Sequence, residues 1–243
     1  MIHEFSRTEL LLGEEGTGRL RQASVMVFGV GGVGSHCIEA LARCGVGKLI
    51  LIDNDTVSLT NINRQAVAFH STVGQYKTEV MKRIIADICP EIEVKTYERF
   101  VLNDNLEDIL AEEPDYIIDA IDTVTAKLTL VEEAQKRDIP LISCMGTGNK
   151  LHAELFEITD ISKTSVCPLC KVMRRELKAR GIYHLKVLYS KEKPVDTTGR
   201  VTGEDAGARR SIPGSISFVP PVAGLLIAGE VVRELTGCER GGA

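Results

Sequence analysis

Ser24-Val-Met-Val-Phe-Gly29-Val-Gly31-Gly32-Val-Gly34-Ser35 reads as a strand, a glycine loop and the first turn of a helix. Gly29, Gly31 and Gly34 fit G-x-G-x-x-G. That spacing turns the chain tightly out of a strand, brings backbone N–H groups up to phosphate oxygens and seats the next helix on the sheet. The helix then points its positive end at the anion. Its body carries Ile38, Ala40, Leu41 and Ala42, and Gly45-Val46-Gly47 breaks it before Lys48-Leu-Ile-Leu-Ile-Asp53 forms a second strand. Asp53 ends that strand, where a carboxylate accepts hydrogen bonds from a ribose diol. The three glycines alone would also suit an ordinary turn; the strand, loop, helix and strand within thirty residues point to a nucleotide-binding unit.

Working outward, the pattern alternates. Residues 7–22 read as a short helix with a glycine-rich break, ahead of strand 24–28, helix 34–44 and strand 48–53. A loop carrying Asn61 to Gln65 leads into helix 75–88, where Val80, Ile84 and Ile88 form one stripe stopped by Pro90. Strand 92–97, helix 104–111, strand 115–119, helix 125–137 and strand 140–144 follow. Five strands with intervening helices predict an α/β fold: a Rossmann-like, mostly parallel sheet with helices on both faces, over roughly 20–160. Ser215 to Leu235 returns to a buried pattern, expected to be a strand and a final helix that closes the sheet. We expect one domain over 1–243, with a basic helix and a mobile loop at 163–214 inside it.

The composition fits. With 243 residues, 44% hydrophobic and 26% charged, the chain can bury an α/β core. Met1-Ile-His-Glu-Phe-Ser-Arg7 is polar and runs into a helical pattern, so no signal peptide is expected. The longest apolar run, Ile216 to Ala228, is broken by Pro220, Pro221 and Gly224 and is too short to cross a bilayer. Seven cysteines, an odd number and several inside core segments, argue against a disulfide framework and for a reducing cytoplasm.

Charge is segregated. Residues 171–193 hold eight Lys and Arg against Glu176 and Glu192, a local +6 that leaves −11 on the rest of a chain of net −5. Lys171, Arg174, Arg175 and Lys178 fall at i, i+3, i+4 and i+7 and line one helix face. Residues 194–214, rich in Gly, Pro, Thr and Asp, read as a mobile loop.

Polar residues suited to phosphate chemistry cluster after the strands. Arg64 and Lys77 are cations following the nucleotide loop, as a transition state spreading charge over phosphate oxygens requires. Asp122, in Asp119-Ala-Ile-Asp122-Thr123, is placed to hold Mg²⁺ on the phosphates. Singly, each has a plain alternative: a surface ion pair for Arg64, a solvated helix residue for Lys77, an N-cap of the helix near Val124 for Asp122.

Together these motifs resemble the adenylating domain shared by ubiquitin-activating-type enzymes and the bacterial enzymes that activate sulfur-carrier proteins. The likeness rests on Gly29-x-Gly31-Gly32-x-Gly34, Asp53-x-Asp55, Asn61-x-Asn63-Arg64-Gln65, Lys77 and Asp119-x-x-Asp122, in order and spacing. It covers the chain from Arg7 to about Gly148. The resemblance implies ATP and Mg²⁺ as cofactors, with Asp53 on the ribose, Arg64 and Lys77 on phosphates and Asp122 on the metal. It further implies a homodimer in which Arg7 reaches the neighbouring subunit's ATP.

Four segments narrow the branch: Asp119 to Lys127, Met145-Gly-Thr-Gly-Asn-Lys150, Lys163-Thr-Ser-Val-Cys-Pro168 and Pro213-Gly-Ser-Ile-Ser-Phe-Val-Pro220. They look like the tRNA threonylcarbamoyladenosine dehydratase branch, which activates a carboxylate on adenosine 37 with ATP and lets it cyclise with loss of water. An adenylate supplies the leaving group, and the neighbouring ureido group is an intramolecular nucleophile of high effective molarity. On this reading the basic face of Lys171, Arg174, Arg175 and Lys178 meets the anticodon arm.

The alternative is activation of the C-terminal carboxylate of a small sulfur-carrier protein, and the resemblance also admits a cysteine desulfurase or sulfur acceptor as a partner. Those relatives hold a structural zinc with two C-x-x-C pairs, whereas here Cys167-Pro-Leu-Cys170 has no second pair, only Cys238. A buried or helix-cap role is expected for Cys167 and Cys170, a core role for Cys37 and Cys144, and packing for His36. A nicotinamide-linked dehydrogenase fits worst, since hydride transfer has no use for Arg64, Lys77 and Asp122 around a phosphate.

Overall fold

β1 (Ser24–Phe28), β2 (Lys48–Ile52), β3 (Glu93–Tyr97), β4 (Tyr116–Asp119), β5 (Leu141–Cys144), β6 (Phe156–Asp160) and β7 (Lys186–Ser190) form one sheet in the order β3-β2-β1-β4-β5-β7-β6. Every pairing is parallel except β6 with β7, so only that edge runs against the rest. The structure is a computed structural model and describes residues 2–99, 106–200 and 213–238.

The helices are α1 (Ser6–Gln22), α2 (Gly34–Cys44), α3 (Lys77–Ile88), α4 (Leu106–Leu110), α5 (Val124–Lys136), α6 (Pro168–Ala179) and α7 (Val219–Thr236). They cover both faces of the sheet. Val25 and Val27 of β1 join a core with residues of α2, α3 and α7, while Met26 and Phe28 point the other way into a core with α4 and α5. Burial on both faces is why the central strands read as unbroken apolar runs. A third core holds α6 against α5 and β7 through Met173, Leu177, Val131 and Val187. α7 lies directly on α2: a methyl built at Gly224 would stand 2.3 Å from the Val33 carbonyl oxygen, so only glycine allows that approach.

The five strands expected over residues 24–144 are all present within about two residues, and α1 carries its expected break at Gly13. Three expectations change. The sheet does not stop near residue 160, because β6 and β7 extend it and β7, drawn from the basic segment, slots between β5 and β6. No strand forms among described residues 213–238; α7 follows a turn and covers one face instead of closing the sheet. The helix expected over 104–111 is seen as Leu106–Leu110, with 104 and 105 outside the described residues. Of the loop expected over 194–214, residues 201–212 lie outside the described ones. Both described flanks are tied to Asn149: Val195 N–H donates to its carbonyl at 2.7 Å and Gly214 N–H to its Oδ1 at 2.6 Å.

Glu112 joins the strand end of the fold to the α4 turn. Its carboxylate accepts from Lys95 at 2.7 Å, Lys48 at 2.9 Å and the Tyr97 hydroxyl at 3.0 Å. Lys95 first, then Lys48, holds its pKa down from the ordinary 4.5 to about 2. A depressed carboxylate contributes stability that is present above its ordinary pKa and is lost as the pH falls through the folded value. Glu112→Gln should therefore lower the urea midpoint at pH 7, with the gap to the parent protein closing between about pH 5 and pH 2. A gap independent of pH would show that the charge is not what stabilises this junction.

Candidate active site

β1 and β4 are neighbours at the point where the strand order reverses, and a crevice opens there at their carboxyl ends, as in other doubly wound sheets. Gly29 leaves β1 at φ +95°, and a methyl on it would stand 2.7 Å from the Ala120 carbonyl oxygen in the turn after β4. A methyl on Gly34 would meet the Gly29 oxygen at 1.8 Å, which closes the loop tightly over the start of α2. The Val30 N–H donates to Asp53 Oδ2 at 2.6 Å and the Asp55 N–H to Asp53 Oδ1 at 2.8 Å. Asp53 thus shapes the glycine loop from the end of β2. Burial raises its pKa, an effect that Lys77 and these two amides offset in part.

Lys77, the first residue of α3, is buried and reaches Asp55 Oδ2 at 2.7 Å, so it is no solvated helix residue. Arg64 lies against the other side of the loop: a methyl on Gly32 would sit 3.4 Å from its Cγ. Its Nη1 donates to the Thr60 carbonyl and to Asn63 Oδ1, both at 2.9 Å, and the His36 ring meets its carbonyl at 3.1 Å. His36 therefore packs and positions, as expected. Asn61 Oδ1 accepts from the Ser58 N–H at 3.1 Å, and Asn63 Nδ2 donates to the Ser215 carbonyl at 3.0 Å. Both amides, expected at the nucleotide, here build the loop that carries Arg64. Gln65 is only 7% exposed, and its Oε1 has no hydrogen-bond partner among the described residues. Its Nε2 lies 4.0 Å from a methyl built on Gly31.

Asp122 is exposed in the turn between β4 and α5 and, among the described residues, accepts only a 3.3 Å bond from the Thr123 hydroxyl. Thr123 holds the N-cap position and no side chain caps α5, so the capping role offered for Asp122 is not observed. Behind this turn lies a group that sequence reasoning missed. Lys127, Asp119 and Ser143 are fully buried. Lys127 Nζ donates to Asp119 Oδ2 at 3.0 Å, Ser143 Oγ at 3.3 Å and the Cys144 carbonyl at 2.7 Å. The Ser143 hydroxyl donates to Asp119 Oδ2 at 2.5 Å, and the Ile121 N–H to Asp119 Oδ1 at 3.1 Å. The cluster joins β4, β5 and α5 and fixes the backbone next to Asp122. Nothing in the local pattern around Lys127 marks it as buried.

Arg7 is not brought to this crevice. Phe5, two residues before it, packs on Gly45 at the far end of α2, about 16 Å of helix from the glycine loop.

The residues gathered here suit a nucleoside triphosphate. Backbone amides and a helix N-terminus face one loop, two cations flank it, and Gln65 presents a buried oxygen that lacks a partner among the described residues. Asp122 stands at the rim with its carboxylate exposed, which suits a hard cation on phosphate oxygens.

On α6, Lys171, Arg175 and Lys178 are exposed, but Arg174 is not available as expected. Its guanidinium donates to the Thr164 carbonyl at 2.9 Å and to the Thr164 hydroxyl, bracing the chain between β6 and α6. Cys167 and Cys170 are buried in the third core. The Cys170 thiol and the N–H groups of Cys170, Gly146 and Leu169 bias Cys167 toward the thiolate, while Cys170 is pushed up. Among the described residues no group of three or more His, Cys, Asp or Glu is placed to hold a metal ion. No helix of the described residues is long and apolar enough to cross a membrane.

Comparison with known proteins adds the following. The ThiF family model matches residues 5–242. The chain is 47% identical over 242 residues to the tRNA threonylcarbamoyladenosine dehydratase of Bacillus subtilis, covering 97% of this chain and 95% of that one. It is 39% identical over 175 residues to the enzyme of the same name from Escherichia coli, 72% of this chain and 65% of that one. The crystal structure of the E. coli tRNA N6-threonylcarbamoyladenosine dehydratase in complex with ATP superposes with a TM-score of 0.87 at 31% identity, over 98% of this chain and 96% of that one.

Proposed function

The chain belongs to the ThiF family, and from that premise we propose that it is an ATP-dependent tRNA threonylcarbamoyladenosine dehydratase, with residues 1–243 acting as a single adenylating domain. The observation that carries the reading is the convergence of Asp53, Arg64, Gln65, Lys77 and the Asp119–Asp122 turn on one glycine loop.

The proposed course begins with ATP phosphates seated on the amides of Gly29 to Gly34 and its ribose on Asp53. Arg64 and Lys77 stabilise charge as the carboxylate of the threonylcarbamoyl group attacks the α-phosphate and pyrophosphate leaves. The ureido group then attacks the activated carbonyl, closing the ring with loss of its proton, and AMP departs. No enzyme nucleophile is needed. Mg²⁺, held by Asp122 together with phosphate oxygens, would neutralise charge on the triphosphate. The anticodon arm lies along the exposed cations of α6. Cytoplasmic action and docking of a sulfur-transfer protein belong to this proposal as well.

The experiment is mass spectrometry of tRNA nucleosides after tRNA bearing linear threonylcarbamoyladenosine is incubated with the protein and Mg-ATP. Loss of 18 mass units from that nucleoside, one water, is expected only with ATP. Unchanged tRNA together with adenylation of a sulfur-carrier C-terminus would transfer the assignment to the other branch.

We further propose a homodimer in which Arg7, close in the chain to Phe5 on the far end of α2 and so remote from its own crevice, completes the site of the second copy. Mixing Arg7→Ala with Asp122→Ala protein should restore part of the activity, up to about one quarter of sites in a random mixture, as one site per heterodimer keeps both residues. Absence of complementation after confirmed subunit exchange would remove Arg7 from the site.

A further inference from the structure

α6 ends where the N–H groups of Arg180 and Ile182 return to the Leu177 carbonyl and that of Gly181 to Lys178. This turn folds Ile182 back against the helix and leaves Tyr183 beside it, 58% exposed. Between them runs an open groove of about 350 Å³. Ile161, Leu177 and Ile182 form its apolar floor, and Lys171, Lys178 and Tyr183 stand on its walls. Four cations line it and no carboxylate does. Two of the four are engaged within the chain, Arg174 with Thr164 and Arg175 with Glu176 at 2.8 Å. Lys171 and Lys178 make no ion pair or side-chain hydrogen bond with any described residue.

We propose that this groove binds one unstacked nucleotide of the tRNA, its base laid on the Tyr183 ring and its flanking phosphates on Lys171 and Lys178. The inference rests on the tRNA reading above and extends it by a residue, Tyr183, and a contact mode that charge alone does not supply. An exposed aromatic ring next to unpaired lysines is the pairing that loop nucleotides use: the ring takes the flat face of the base and the ammonium groups take the backbone. An acidic peptide would satisfy the lysines and leave the ring without a partner. α6 starts beside Gly146 at the carboxyl end of β5, the end that carries the crevice, and from Lys171 to Lys178 it runs about 10 Å away from it. Tyr183 precedes β7, which pairs parallel with β5, so the groove stands toward the amino end of the sheet and RNA held there is a part of the tRNA away from the nucleotide that enters the crevice.

The test compares the full-length protein with Tyr183→Ala, Tyr183→Phe and Lys171→Gln/Lys178→Gln, measuring tRNA affinity across a salt series, ATP affinity and nucleoside conversion. Tyr183→Ala should bind tRNA on the order of tenfold more weakly with the salt slope unchanged, and Tyr183→Phe should stay within about twofold of the parent. The double lysine variant should flatten the slope by roughly 0.7 to 0.9 per lost phosphate contact, with ATP affinity unaltered. If the parent protein converts tRNA and Tyr183→Ala binds equally well, the groove proposal fails and the enzyme assignment stands. Tyr183→Phe falling as far as Tyr183→Ala would also overturn it, by pointing to the hydroxyl instead of the ring. A parent protein that neither binds nor converts tRNA overturns both.

Discussion

Asp122→Ala should abolish most ATP-dependent turnover while the protein melts within about a degree of the parent. The side chain is exposed and, among the described residues, makes a single 3.3 Å hydrogen bond, with the neighbouring Thr123 hydroxyl, so little folding energy depends on it. Its proposed task lies entirely in the bound state, where one carboxylate holds a cation whose charge offsets that of the triphosphate. Losing a single charge-stabilising group of this kind costs on the order of a hundredfold to a thousandfold in rate. Pyrophosphate release under saturating ATP measures it, and the apparent Mg²⁺ requirement should rise in parallel. A rate within about threefold of the parent would remove Asp122 from the reaction.

Lys127→Met should do the opposite, costing stability first. The lysine is wholly buried with three partners, and its removal leaves Asp119 ionised in the core with only Ser143 and the Ile121 amide for compensation. Breaking a buried pair by deleting one partner typically costs about 3–5 kcal/mol. For a domain of this size each kcal/mol moves the melting temperature by roughly 2–4 °C, so a fall of about 10 °C is expected. Adding Asp119→Leu should recover much of the loss, because the orphaned charge is then gone; a double-mutant cycle reads the coupling. What survives of Lys127→Met should show a raised KM for ATP, since the turn bearing Asp122 has lost its anchor. A melting temperature unchanged within 2 °C would show that the pair does not brace the crevice.

The site was legible in the sequence where local geometry sets the requirement. Gly29 and Gly34 must be glycine whatever surrounds them, because a methyl at either would strike backbone. Asp53 was readable because a strand end delivers its carboxylate to the loop of the preceding unit. Arg174 was misjudged for a definite reason: helical spacing reports which side of α6 it occupies, not that Thr164 waits there to accept its guanidinium.

By itself the sequence determined the nucleotide unit, the parallel α/β class and the family, since all three rest on periodicity and on short motifs whose chemistry is local. The tertiary structure alone decided three further things. Lys186 to Ser190 is a strand only because β5 and β6 offer it hydrogen-bonding edges, and five residues of a basic segment carry no such signal. Lys127 is an internal anchor only because Asp119, Ser143 and Cys144, from two different strands, enclose its ammonium group. Tyr183 faces a cationic groove only because the end of α6 folds back on itself. In the first two cases partners distant along the chain fix the environment, and burial and pairing are properties of that environment, not of the residue.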